Sequence, residues 1–177
     1  MTTTATTTRP VPRWAELAAH AVVWTALPSG LWRVALGLGV PVGFSGELAA
    51  TFEAPGWAIT PYVIALRLAA EGLALLTLGL VRPWGERLPG WLPRVGGRAV
   101  PTAAAAAAAA LGAVAVTLIT VVSALGWSDP ENMGDPDAPH GPAGLVMTAC
   151  YAPLLAWGPL LAVVTAAYVR RRTRPVS

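Results

Sequence analysis

The chain has 177 residues, 55% of them hydrophobic and only 12% charged, with a mean hydropathy of +0.57. A soluble domain carries about 25% charged residues, so these charges are too few to cover a water-facing surface, and the bilayer is the natural solvent. A pI of 9.8 would suit nucleic-acid binding, but the 12 basic residues, all arginine, flank apolar segments instead of forming a basic face interleaved with aromatics.

Residues 1–12 are Thr-rich and Pro-punctuated and read as a disordered cytoplasmic tail. The apolar run that follows holds Glu16 and His20 and is too long for a signal-peptide core, so it is expected to be retained. This first membrane segment covers 14–40. Pro28 removes one backbone bond and clashes with the preceding turn, which predicts a kink or short break beside Ser29 and Gly30. Residues 41–60, with Gly43, Gly46, Glu47, Glu53, Pro55 and Gly56, read as a loop. The second segment, 61–81, contains Arg67 and Glu71. In 82–100, prolines and glycines at 83, 85, 89, 90, 93, 96 and 97 predict a loop without helix, lying along the membrane surface.

The third segment, 101–127, has no charge at all, and at about 1.5 Å per residue it outruns a hydrocarbon core of roughly 30 Å. Residues 128–141 carry Asp129, Glu131, Asp135 and Asp137 but lack the ligand spacing of a calcium loop. They read as a hydrophilic translocated loop. The fourth segment, 142–169, contains Pro153 and Pro159, which predict bends. A basic cytoplasmic tail, 170–177, follows. The transmembrane domain as a whole is expected over 13–169.

Arginine placement sets the orientation. Ten of the 12 lie in the N-terminal tail, the middle loop or the C-terminal tail, and none lies in the other two loops, which carry six acids instead. Positive charge stays on the cytoplasmic side, so four crossings with both termini inside satisfy all three arginine-bearing regions together. Trp14, Trp84 and Tyr168 then fall at the inner boundary, and Trp57, Tyr62 and Trp127 at the outer one. Trp24, Trp32 and Trp157 lie deeper and are expected to pack between helices.

Three charges fall inside the membrane: Arg33, Arg67 and Glu71. The second segment's Leu, Ile and Val residues favour insertion by about 3 to 6 kcal/mol, and a central Arg and Glu oppose it by about 5 to 7. That helix should insert marginally alone and need its neighbours. Arg67 and Glu71 are four apart, hence on one helical face, and depth counting puts Arg33 level with Arg67. The three form a candidate outer-leaflet polar cluster. It reads either as a salt bridge locking the first two helices or as a proton, anion or substrate site. Glu16 and His20, also four apart, read as a weak interfacial pair. Cys150 reads as a small core hydrophobe, and the alanine run 103–110 as a face for close helix approach. Thr148, Cys150 and Tyr151 have no base beside them, and no catalytic, metal or cofactor signature stands in the chain, so no enzyme and no cofactor is expected.

Residues 24–38 (WTALPSGLWRVALGL), 82–91 (RPWGERLPGW) and 148–159 (TACYAPLLAWGP) resemble the uncharacterised four-helix integral membrane proteins of actinobacteria and other high-GC bacteria, which have no assigned activity. Residues 33–39 (RVALGLG) also resemble the first helix of DoxX-like membrane proteins, but the rest of that pattern is missing. The expected fold is all-α: a membrane bundle of four transmembrane helices with both termini inside, multi-pass in the bacterial plasma membrane. The expected role is a structural or interaction subunit of a membrane assembly. The alternative is a small oligomeric transporter or permeation protein using Arg33, Arg67 and Glu71. The expected partners are the lipid bilayer and other membrane proteins or further copies of the chain, without nucleic acid.

Overall fold

Helix α1, Arg13–Gly37, runs unbroken through Pro28 in the computed structural model. The model describes residues 10–52, 59–87, 90 and 96–173, without the side chains of Ile59, Thr60, Tyr62, Val63, Leu66 and Arg67. The break expected at Pro28 is absent. Beside the missing donor, hydroxyls turn back onto the chain: Thr25 Oγ1 donates to Val22 C=O (2.7 Å) and Ser29 Oγ to Ala26 C=O (3.0 Å). The buried positions Ala15, Ala19, Val22, Ala26, Ser29, Gly30, Leu36 and Gly37 recur at spacings of three and four and trace one stripe, which Trp32 flanks. Most of these side chains are small, so neighbouring backbones approach closely. The helix stops at a left-handed Gly39 (φ 78°), where Val40 N–H returns to Ala35 C=O (3.0 Å).

The loop expected over 41–60 contains a short helix, α2, Gly46–Phe52. Its start is held from a distant loop. The Asp137 carboxylate accepts from Glu47 N–H and from the Ser45 hydroxyl, both at 3.2 Å, while Ser45 N–H donates to Asp137 C=O (2.9 Å). A carboxylate at a helix N-terminus satisfies orphan donors and opposes the positive end of the dipole. A Cβ on Gly46 (φ 49°) would lie 2.6 Å from the Asp137 Cγ, so this contact requires glycine. Breaker density hid α2 because its cap lies some ninety residues away.

Helix α3 is Ile59–Gly79. The loop after it, expected to hold no helix, forms one 3-10 turn, Pro83–Glu86, whose first position suits proline. Arg87 pairs antiparallel with Ala99, and Val100 N–H donates to Glu86 C=O (2.9 Å), so the two ends of this loop meet. Helix α4 is Thr102–Leu125, opening on an alanine run of high helix propensity. The final apolar stretch is α5, Gly141–Tyr151, a 3-10 turn, Ala152–Ala156, and α6, Trp157–Thr173. Pro153 has no N–H to continue the α ladder, and the chain tightens there; Pro159 sits in the first turn of α6, where no intrahelical donor is needed.

Helices α1 and α6 lie against each other at the centre, α3 covers α1, and α4 covers α6; α3 and α4 scarcely meet among the described residues. The main core joins Ala15, Ala19, Val22 and Ala26 of α1 to Ala74 of α3, Leu80 and Val81 just beyond it, Ala113 of α4 and Leu161, Val164, Ala167 and Tyr168 of α6. A second cluster forms around Trp32, Leu36 and Met147, with Phe44, Trp127, Cys150 and Tyr151 packed against it. One end of the molecule therefore gathers the start of α1, the end of α3, the start of α4 and the end of α6, and it carries most of the arginines. The other end gathers the acidic loop. The described residues are helical apart from turns, loops and the one bridge. Among the described residues, two stretches, Thr102–Leu125 and Gly141–Thr173, are long and apolar enough to cross a membrane.

Candidate functional site

At the basic end, the local logic is a shared carboxylate. The turn after Pro83 aims Glu86 at the last turn of α6. Its Oε1 lies 3.0 Å from Arg171 Nη1, and its Oε2 3.5 Å from Arg172 Nη1. Arg171 Nη2 also donates to Leu80 C=O (3.1 Å), and Arg172 Nε to Thr102 Oγ1 (3.3 Å). Both guanidinium carbons sit 5.9 Å from the centroid of Tyr168, whose ring is buried. Glu86 thus ties the end of α3, the 3-10 turn, the start of α4 and the end of α6 together. The side chains of Arg171 and Glu86 are only 9% and 22% exposed, so the pair is partly desolvated and worth more than a surface ion pair.

At the acidic end, Arg33 lies one turn before the end of α1. Its Nε donates to Tyr151 Oη at 2.8 Å, and its guanidinium carbon is 5.5 Å from the Tyr151 ring centroid. Tyr151 is itself fixed by an edge-on Trp32 (5.6 Å, 79°) and by Trp127 (5.5 Å). Phe44 extends the cluster to Trp32 at 6.0 Å and to Phe52 at 5.6 Å. Below these rings lies a cavity of about 110 Å³, lined by Ala26, Ser29, Gly30, Arg33, Ala70, Leu154 and Trp157. Three of the four α1 residues along it, Ala26, Ser29 and Gly30, are small. Trp157 closes one wall; it is 7% exposed, and its indole N–H is sealed from solvent without an acceptor.

The charges singled out in the sequence distribute as follows. Arg33 finds a tyrosine on α5, and no ion pair among the described residues joins it to Glu71. Glu71, the residue after the cavity-lining Ala70, is half-buried and engaged in a contact of its own. The Arg67 side chain lies outside the described residues, as do Glu53, Trp57, the Tyr62 side chain and the chain ends 1–9 and 174–177. His20 is exposed; its Nδ1–H donates to the Glu16 backbone carbonyl (2.7 Å), not to the Glu16 carboxylate. Trp32 and Trp157 are buried between helices, but Trp24 is 70% exposed, because position 24 faces away from the stripe that contacts α3 and α6.

Of three polar residues that hold the structure, Glu86 was not singled out in the sequence, Asp137 was read only as part of an acidic loop, and Tyr151 only as a group with no base beside it. Glu86 was detectable as the one acid in an arginine-rich loop, and Tyr151 as a phenol inside an apolar segment. Asp137 gave no signal beyond membership of an acidic loop. Between α4 and α6 runs a wider, open groove of about 460 Å³ lined by alanines, Val114, Leu118, Thr117 and Thr165. Both threonine hydroxyls donate within their own helices, at 2.7 Å to Ala113 and Leu161 carbonyls, leaving a groove of nearly pure hydrocarbon. Among the described residues, no three His, Cys, Asp or Glu side chains gather as a metal site. No protein family, curated protein or solved structure matches this chain.

Proposed function

We propose that this chain is a multi-pass integral membrane protein of the bacterial plasma membrane. It crosses four times through α1, α3, α4 and the α5–α6 stretch, with both termini cytoplasmic, and serves as a structural or interaction subunit of a membrane assembly. The observation that carries the membrane reading is the surface of α4. Leu111, Val114, Leu118, Ile119, Val122 and Leu125 are 59–81% exposed on a helix without a single charge. Water would penalise that surface heavily, and lipid tails would not. The distribution of charge supports the orientation: arginines cluster at one end of the helices and acids at the other. The structural role draws support from how polar groups are used. Glu86 and Asp137 each fasten elements distant in sequence. We propose with it that the chain is one of the actinobacterial four-helix membrane proteins that its segments resemble.

The test is topology. Alkaline phosphatase fused after Met133 should be active, and fused after Ser177 inactive, with the protein resisting carbonate extraction from membranes. Activity at the C-terminal fusion, or release into the soluble fraction, would overturn the reading. Size measurement in lipid nanodiscs then asks whether the chain is found with partner subunits or further copies of itself.

A second reading, a small oligomeric transporter or permeation protein, has one observation in its favour. Arg33 borders a cavity and is held by a phenol, not a carboxylate. Its test is solute flux in proteoliposomes, compared between wild type and Arg33→Gln.

A further inference from the structure

We propose that the exposed face of α1 docks against a second copy of this chain, α1 beside α1 and parallel, around the two-fold axis of a dimer. This names the partner in the membrane-subunit reading given above and rests on that reading. Leu17, Trp24, Leu31 and Leu38, the last at the helix cap, are 64–71% exposed and stand seven residues apart. Between them Ala21, Pro28 and Ala35 are compact and half-buried. Large and compact positions thus alternate at spacings of four and three from Leu17 to Leu38, the pattern by which knobs of one helix enter the holes of another. Glu16 and Arg33 fall on other positions of this repeat, and Arg33 turns to Tyr151.

Lipid covers leucine at no cost, but it covers Trp24 badly. At about 1.5 Å per residue, Trp24 lies about 15 Å from Trp14, near the middle of a hydrocarbon core of roughly 30 Å, far from the headgroup level that indoles prefer. Its indole N–H meets no acceptor among the described residues. The same residue carries an acceptor in need of a donor. Pro28 has no N–H for the Trp24 carbonyl, and the nearby hydroxyls are committed, Thr25 to Val22 and Ser29 to Ala26. Both groups are costly to leave bare in hydrocarbon. A two-fold axis sets like residues at one depth, so a second copy brings an indole donor and a free carbonyl to the level where the first lacks both. Ala21 and Pro28 flank that level and leave room for two rings. Near its own middle α4 sets no such demand, because Thr117 and Thr120 donate to carbonyls of their own helix.

The area suffices. About 100 Å² from each of the three leucines and about 150 Å² from each of Trp14 and Trp24 give about 600 Å² a copy, so the pair covers about 1,200 Å², where specific interfaces begin.

The test is disulfide cross-linking of the full chain in its own membranes. Cys150→Ala removes the single cysteine. New cysteines are then placed one at a time, Leu17→Cys, Leu31→Cys and Leu38→Cys on the α1 face, Leu111→Cys and Ile119→Cys on α4, all at exposed positions where folding does not depend on the side chain. Oxidation with copper phenanthroline should give dimers from the α1 set and monomers from the α4 set. In liposomes, energy transfer between labelled copies should show Trp24→Phe, which keeps a ring and loses the N–H, raising the dimer Kd about tenfold, the change expected when two interhelical hydrogen bonds are lost. Monomers at every α1 position, or dimers from α4 alone, overturn the proposal. An adduct of a mass other than twice the chain means a different partner and overturns it too. An unchanged Kd in Trp24→Phe overturns the pairing at Trp24, and with it the choice of a second copy. The phosphatase fusions read sidedness whatever the oligomeric state, so a monomer leaves the four-crossing reading standing and the two fail separately.

Discussion

Helices α1 and α4 are nearly the same length, 25 and 24 residues, and they invert the usual relation between hydropathy and burial. Helix α1 carries Arg13, Glu16 and Arg33, contains a proline, and buries nine residues at the centre of the molecule. Helix α4 has no charge and buries only Ala113. In a water-soluble protein the more apolar helix would be the inner one. Here the more apolar helix is the outer one: α1 packs inside along a stripe that includes Ala, Ser and Gly, while α4, although 11 of its 24 residues are alanine, leaves its Leu, Val and Ile side chains exposed. Where lipid tails are as apolar as leucine, burying leucine gains little. Close backbone approach and shelter for polar groups are then what distinguish an interior.

That contrast is breakable in five places. Ile119→Arg tests it most severely. Six residues before the end of α4 and 65% exposed, the arginine should oppose membrane insertion by up to about 3 kcal/mol, the cost at a helix centre, read as the inserted fraction in a glycosylation-based insertion assay. Unchanged insertion with better solubility would mean that α4 faces water. Next is Ala19→Leu in α1. Position 19 is 0% exposed between helices, so three added carbons should overpack the core and cost about 2 kcal/mol or more, read by unfolding in mixed micelles.

Gly158→Ala probes the contact through which α4 is attached at all. The new Cβ would strike Thr117 Oγ1 and lie 2.9 Å from the Ala113 carbonyl oxygen. Helix α4 must move away from α6, at about 1–2 kcal/mol by the same unfolding measurement. Glu86→Gln removes the charge that two arginines share and should cost about 1 kcal/mol, discounted for partial exposure, with earlier proteolysis of the 82–100 loop as a second readout. The smallest effect belongs to α4 again. Leu125→Ala, at a position 81% exposed, should change stability by less than about 0.5 kcal/mol. A loss above 1 kcal/mol there would show that this surface is covered by protein.

The helical class of the chain was legible because apolar runs of twenty residues and more, separated by Gly- and Pro-rich stretches, leave few alternatives. Pro28 predicted a kink or a short break, and no break forms. Its cost as a helix breaker is real, but a helix packed on both sides, by α3 and by α6, absorbs it. Of the candidate polar cluster, composition could flag Arg33 and Glu71 as costly. It could not find the tyrosine that meets Arg33, since Tyr151 lies 118 residues away. Nor could it tell Trp24 from Trp32. Eight residues apart on one helix, they differ in what the fold sets beside them: Phe44, Met147 and Tyr151 cover Trp32, and Trp24 is left exposed.

What the sequence determined by itself was helical class, together with an expectation of a lipid solvent: few charges for water, apolar runs with the length of helices, and arginines segregated from acids along the chain. These are sums over local composition, and they need no knowledge of contacts. The tertiary structure alone decided which helix is central, which acid serves two arginines, which acid caps α2, and that Arg33 borders a cavity beside an unpartnered indole. Each of those depends on groups brought together from distant parts of the chain. Their energies come from desolvation and from geometry at a few ångströms, which the pattern of a single segment does not encode.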